Sequence, residues 1–194
     1  MPEILAWRVD EPEVTVHMTS REIWTALHGM VLGALFLLLF AGGFLTLWDL
    51  RADRLTPQGA RATAQRLQFW TCAMAILVWL TVIVGTYIIY PWYRAKPPAG
   101  TPAAMLANYP KYLLVSNPQT ADWHEFGMES KEHVAWLSPI LATAVAFVVS
   151  RYRHQIARDA HLRRALLILY GLAFFAASWA GLMGALINKA APTR

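Results

Sequence analysis

Six histidines, one cysteine and a short run of carboxylates are what this 194-residue chain offers for chemistry. No P-loop, dinucleotide-binding glycine fingerprint, serine nucleophile elbow or His-Glu-x-x-His zinc motif accompanies them. The single cysteine, Cys72, excludes an internal disulfide, a Cys–Cys zinc cage and covalent c-type haem, which needs Cys-x-x-Cys-His. Among the histidines only His28 lies well inside an uncharged stretch, about one helical turn past Trp24. His133 stands at the mouth of another such stretch, directly after Lys131-Glu132. Two neutral imidazoles from different helices, at similar depth, are what a six-coordinate haem b takes as axial ligands. Gly29 and Gly33 beside His28 offer the flat surface that a porphyrin or a neighbouring helix requires, and Arg21, Arg94, Lys96 and Lys131 are placed to meet propionates. Phe36, Phe40, Trp79 and Trp136 are available to pack the ring. The plainer reading makes His28 an interhelical hydrogen-bonding group and Gly29/Gly33 a packing pair.

A second constellation runs through Trp123-His124-Glu125-Phe126-Gly127-Met128-Glu129-Ser130-Lys131-Glu132-His133. On a helix continuous from Thr120, Glu125, Glu129 and His133 share one face, and His124, Met128 and Glu132 form the stripe beside it. Two carboxylates and an imidazole, joined by His28 or His17, suit a zinc, copper or iron ion. The same groups suit proton transfer beside a quinol, with Glu129, Glu132 or Tyr112 near its head. The plainer alternative is a charged interfacial collar in which Glu129 or Glu132 pairs with Lys131 or Arg94. His154 and His161 share a short basic loop and read as solvated, and Cys72 reads as packing.

These groups are positioned by four stretches free of Asp, Glu, Lys and Arg: Ile23–Trp48, Leu67–Tyr93, His133–Ser150 and Ala165–Asn188. A hydrocarbon core about 30 Å thick takes roughly 20 helical residues to cross. Within it the backbone must satisfy its own hydrogen bonds, so each run predicts a helix. With 57% hydrophobic and only 15% charged residues, the chain is neither an ordinary water-soluble globule nor disordered. The expected fold is an all-α integral membrane protein, a single membrane domain. Its four-transmembrane-helix bundle has spans at about 23–48, 67–92, 133–150 and 165–188, and a partly helical outer loop over 94–132. Thr56-Pro57 predicts an N-cap with proline at the first helical position, and Pro91 predicts the end of the second span. Tyr109–Val115 predicts a short amphipathic helix along the membrane surface.

Loops 49–66 and 151–164 carry nine basic residues, against eight spread over more than twice that length on the other side. The positive-inside rule predicts that these loops are cytoplasmic and that both termini are periplasmic, in a bacterial inner membrane. The N-terminal tail, with five acids against two bases, is expected to cross uncleaved. The net charge of +5 is better matched to anionic lipid than to nucleic acid. No charge at mid-membrane supports an ion pump, and the threonines available for a pore are of the kind that bond their own backbone.

The general architecture is similar to the small four-helix cytochrome b subunits of respiratory enzymes, a resemblance of architecture alone. With His28 and His133 as axial ligands, the expected function is a haem b electron-transfer subunit working between the quinone pool and a periplasmic cytochrome or membrane partner. Two other functions fit the residues: a cofactor-free anchoring subunit of a larger membrane complex, and a membrane enzyme with a metal at Glu125, Glu129 and His133.

Overall fold

The computed structural model describes residues 18–51 and 55–192, and among these the regular structure is all helical. In chain order, α1 (Ser20–Asp49) is followed by α2 (Pro57–Tyr93), then by a 3₁₀ turn at Ala103–Asn108 and the short α3 (Pro110–Val115). The chain closes with α4 (Pro118–Ile156) and α5 (Ala160–Ala190). α1, α2, α4 and α5 are each long and apolar enough to cross a membrane. The protein is a four-helix membrane bundle. The N-terminal tail, with His17, lies outside the described residues.

Each long helix starts on a cap legible in its sequence. Thr19 and Glu22 form a reciprocal capping box, with Thr19 N–H to Glu22 Oε2 at 2.7 Å and Glu22 N–H to Thr19 Oγ1 at 3.2 Å. Thr56 Oγ1 accepts from Gly59 N–H at 3.1 Å, with Pro57 in first position as predicted. Asn117 caps α4 and Asp159 caps α5 through the N–H groups of His161 and Leu162. The helices overrun the uncharged stretches. α2 begins well before Leu67, and α4 begins at Pro118 rather than at His133.

The long helices neighbour one another in the order α1–α2–α4–α5, with α5 returning to α1. Lipid tails are as apolar as leucine, so association rests on close packing and polar clasps. The packing is made by small residues such as Gly43, Ala142, Ala146, Ala173 and Ala176, with Leu47, Leu67, Met74 and Val149 filling the seams. Between α1 and α5 the contact is an aromatic ladder. Phe40 stacks on Phe174 at 4.0 Å between centroids and on Tyr170 at 5.3 Å, and Phe36 stacks on Phe174 at 5.6 Å. Clasps cross the seams: Trp79 Nε1–H to Thr143 Oγ1 at 3.0 Å, Tyr170 O–H to Leu39 C=O at 3.2 Å and Trp179 Nε1–H to Ser130 Oγ at 3.3 Å. The hydroxyls of Thr71, Thr81 and Thr143 each bond a carbonyl of their own helix.

At the end where α2 and α5 begin, here the arginine end, Arg163 Nη1 donates to the carbonyls of Leu50 (3.4 Å), Ile156 (3.3 Å) and Ala157 (3.5 Å). One guanidinium thus satisfies carbonyls at the ends of α1 and α4 that have no continuing helix to accept from. Arg163→Ala is expected to destabilise the bundle by about 1–2 kcal/mol. Thermal melts in detergent check this; a melt equal to wild type removes the clasp from the account.

Candidate functional site

At the opposite end, here the histidine end, three of the four long helices widen. Leu32 N–H reaches back to Leu27 C=O, Tyr90 N–H to Gly85 C=O and Glu129 N–H to His124 C=O, each spanning five residues instead of four. Such π turns recur at functional sites, because they re-aim side chains that a regular helix would stack elsewhere. Pro91 follows the widened turn at Gly85–Ile89 directly, and α2 ends two residues beyond it, at Tyr93, against a predicted span end at about 92. Gly127 sits inside the widened turn Trp123–Met128 without interrupting α4.

His28 falls in the first of these turns, one turn from the buried Leu32 and two from the buried Phe36, and its ring lies over Gly85 of α2. A Cβ on Gly85 would stand 3.0 Å from His28 Cε1 and 3.4 Å from Nε2, so even alanine here would make the imidazole tilt by a few tenths of an ångström and a larger side chain would take its seat. His28 Nδ1 is buried with no hydrogen-bond partner. Lys131 of α4 lies across the backbone of Gly184 in α5, its Nζ 3.0 Å from where a Cβ would be, within electrostatic reach of His28. Glu132, the next residue, has a second buried unpartnered atom, Oε1, and its charge is felt at Tyr90, Tyr93, Arg94 and His124. Tyr93 and His124 are both buried and hydrogen-bonded, hydroxyl to Nδ1, at 3.0 Å. Arg94 Nη1 donates to the Tyr90 hydroxyl at 2.8 Å. That hydrogen bond, with the Tyr90, Glu132 and Glu129 charges behind it, raises the already high pKa of Arg94, just beyond the end of α2. A lid of apolar residues (Leu114 of α3, Met128 of α4, Ile187 and Ala191) closes over Tyr93. α3 forms as predicted, and Leu114 is buried in this lid.

The site is therefore a polar cluster drawn from α1, α2 and α4. His28, Lys131, Arg94 and the stripe neighbours His124 and Glu132 of the predicted residues belong to it; Gly85, Tyr90 and Tyr93 were not singled out as its members. His133 does not join them. It is exposed, its Nδ1 held at 2.7 Å by the carbonyl of Glu129, and it shares the outward stripe of Leu137, Ile140 and Phe147. Lys131, two residues earlier, takes the inward face instead.

Gly29 and Gly33 have nothing within 4 Å of a built Cβ, so none of the described residues packs closely on them there. The glycines at close approaches are Gly42 under Trp70, Gly43 under Tyr170, Gly85 and Gly184. Phe36 and Phe40 are taken up by the α1–α5 ladder, and Trp79 and Trp136 meet edge to face at 6.1 Å on the α2–α4 seam. Arg21 lies at the start of α1, on the same end as the cluster. Glu125, Glu129 and His133 are all exposed, and the widened turn takes Glu125 out of the four-residue register it was to share with the other two. Among the described residues no three His, Cys, Asp or Glu side chains gather as a metal site.

Haem b is met in part by this arrangement. His28 offers an imidazole with an orphaned nitrogen beside the open Gly29/Gly33 face, and Lys131 offers a cation. His133, turned outward, supplies no second axial ligand within the bundle. Comparison with protein-family models, curated proteins and solved structures finds no match for this chain.

Proposed function

We propose that this chain is an electron-transfer subunit of a bacterial respiratory complex in the inner membrane, exchanging electrons between the quinone pool and a periplasmic or membrane partner at its histidine end. The observation that supports the reading is the buried meeting of His28, Lys131 and Glu132 with the Tyr93–His124 pair. Ionisable groups held at membrane depth without full pairing are costly and are retained for function. They sit where a quinone head, anchored by its apolar tail, would meet them.

In this reading Lys131 and His28 hydrogen-bond the quinone oxygens. Oxidation of a quinol breaks two O–H bonds and sends two electrons to the partner's redox centre. Glu132 takes up the two released protons in turn, handing the first on past the Tyr93–His124 pair toward water before it accepts the second. Haem b, when bound, would supply a one-electron relay, and its attachment to this chain rests on His28. No proton step depends on it.

The reading is tested by the visible spectrum and by quinol turnover of the detergent-purified complex. A sharp reduced-minus-oxidised band that vanishes in His28→Ala supports haem on this chain. Glu132→Gln is expected to slow quinol-dependent electron transfer on the order of 10²-fold while the protein stays folded. A colourless preparation whose quinol oxidation is indifferent to Glu132→Gln overturns the proposal. One observation favours a second reading, a cofactor-free anchoring subunit: the Gly29/Gly33 face, open among the described residues, is a ready seat for a helix of another subunit. That reading predicts partners co-purifying with a colourless chain and lost on Gly33→Leu.

A further inference from the structure

The arginine end carries a feature that electron transfer does not use. Between the first turns of α2 and the last turns of α4 lies a cleft of about 350 Å³, lined on its polar side by Arg61, Arg153, His154 and Arg158. That volume is within the roughly 300–1,000 Å³ range of ligand sites. Its remaining walls, Leu55, Pro57, Ala60, Ala64 and Ala157, are apolar.

The cleft is built by a break in α4. Tyr152 leaves helical geometry at φ −118° and ψ 17°, and Arg153 just beyond it bonds Gln68 of α2. Arg153 is fixed there by two hydrogen bonds, Nη1–H to Gln68 Oε1 of α2 at 3.1 Å and Nε–H to His154 Nε2 at 3.3 Å. Its guanidinium is thus held in place before any ligand arrives, whereas Arg61 and Arg158 have no acidic partner among the described residues. The nearest carboxylate in the α4–α5 turn, Asp159, is committed through Oδ1 to the N-cap of α5. Among the described residues three arginines line this cleft and no carboxylate does, and they stand beside an apolar wall. Arginine forks match the tetrahedral oxygens of phosphate, and the wall suits the first carbons of an acyl chain.

We propose that this cleft binds a phosphate-bearing anion, the headgroup of an anionic phospholipid, between α2 and α4. The bound headgroup would cross-link the two helices where the chain's own contacts give way to solvent. A free phosphate ester shares the chemistry of the phosphate and lacks the tail.

The test uses the full chain in neutral detergent. Short-chain phosphatidylglycerol is titrated by native mass spectrometry, with short-chain phosphatidylcholine and inorganic phosphate as comparison probes. Phosphatidylglycerol is expected to bind and phosphatidylcholine not. Arg61→Gln/Arg158→Gln should weaken phosphatidylglycerol roughly thirtyfold, on the scale of two near-surface arginines. Arg151→Gln, an arginine outside the cleft that rests on the Tyr152 ring, should leave binding unchanged. Phosphatidylglycerol binding far tighter than inorganic phosphate assigns the site to lipid; equal displacement by phosphate assigns it to a free anion, and both support the phosphate chemistry. Equal binding of the two lipids, an unaffected double variant, or equal losses in the double variant and Arg151→Gln each overturn the proposal. The two replaced arginines are exposed, and an unchanged melting temperature without ligand confirms that the double variant folds.

Discussion

Gly43→Val is expected to be the most damaging single replacement in the apolar half of the bundle. A Cβ at this position runs into the hydroxyl of Tyr170 and comes within 2.9 Å of Cζ and 3.0 Å of Cε1. The ring has nowhere to retreat. Tyr170 is 0% exposed, stacks on Phe40 and is tied by its hydroxyl to Leu39 of the same helix as Gly43. Overpacking a closed seam costs about 1–3 kcal/mol where side chains can yield, and this one cannot, so the upper end of that range or more is expected. Thermal unfolding in detergent reads the effect. Tyr170→Leu in the same chain should restore part of the loss by vacating the space. A Gly43→Val protein that melts with wild type would mean that α1 and α5 are not packed this way.

The second large effect is expected at Gly85. Gly85→Leu leaves every ionisable group of the histidine end in the chain but evicts the His28 ring from its seat. If His28 works where it lies, Gly85→Leu should reproduce His28→Ala: loss of the reduced-minus-oxidised band, and a fall in quinol-dependent turnover of about 10²-fold, the scale of misplacing a reacting group by an ångström. Gly85→Ala should do less, since its Cβ meets only the edge of a ring that can tilt. Gly181→Ala, at an exposed position of α5 where a Cβ meets nothing, serves as the control. Full activity in Gly85→Leu would detach His28 from the mechanism.

Most of the scaffold was legible in the sequence because lipid imposes a coarse rule. A run without Asp, Glu, Lys or Arg long enough to cross must be helical, and Ile23–Trp48, Leu67–Tyr93, His133–Ser150 and Ala165–Asn188 all fall inside long helices. Thr56-Pro57 was readable for a local reason, since a cap needs only its neighbours. The site was less legible because facing is not a local property. A regular period gives no warning that Trp123–Met128 widens, so Glu125 was placed on a face it leaves, and His133 was turned toward His28 when Lys131 takes the inward position. The pairing of His28 with Gly85 joins residues from different helices, and nothing in either segment announces the other. Gly29 and Gly33 drew attention by spacing, while Gly43 and Gly85 do the close packing because they happen to face a bulky ring.

Each widened turn holds one residue more than its neighbours and so acts as a phase slip along its rod. Side chains on one side of the slip keep their alignment whatever occurs on the other. Losing a single residue from 85–89 would leave the seam from Leu67 to Val78 undisturbed, yet swing Tyr90, Tyr93 and Arg94 about 100° around the axis of α2. Three of the four rods carry such a slip at the same end, so the reactive head can be re-aimed one residue at a time while the trunk beneath it stays as it is.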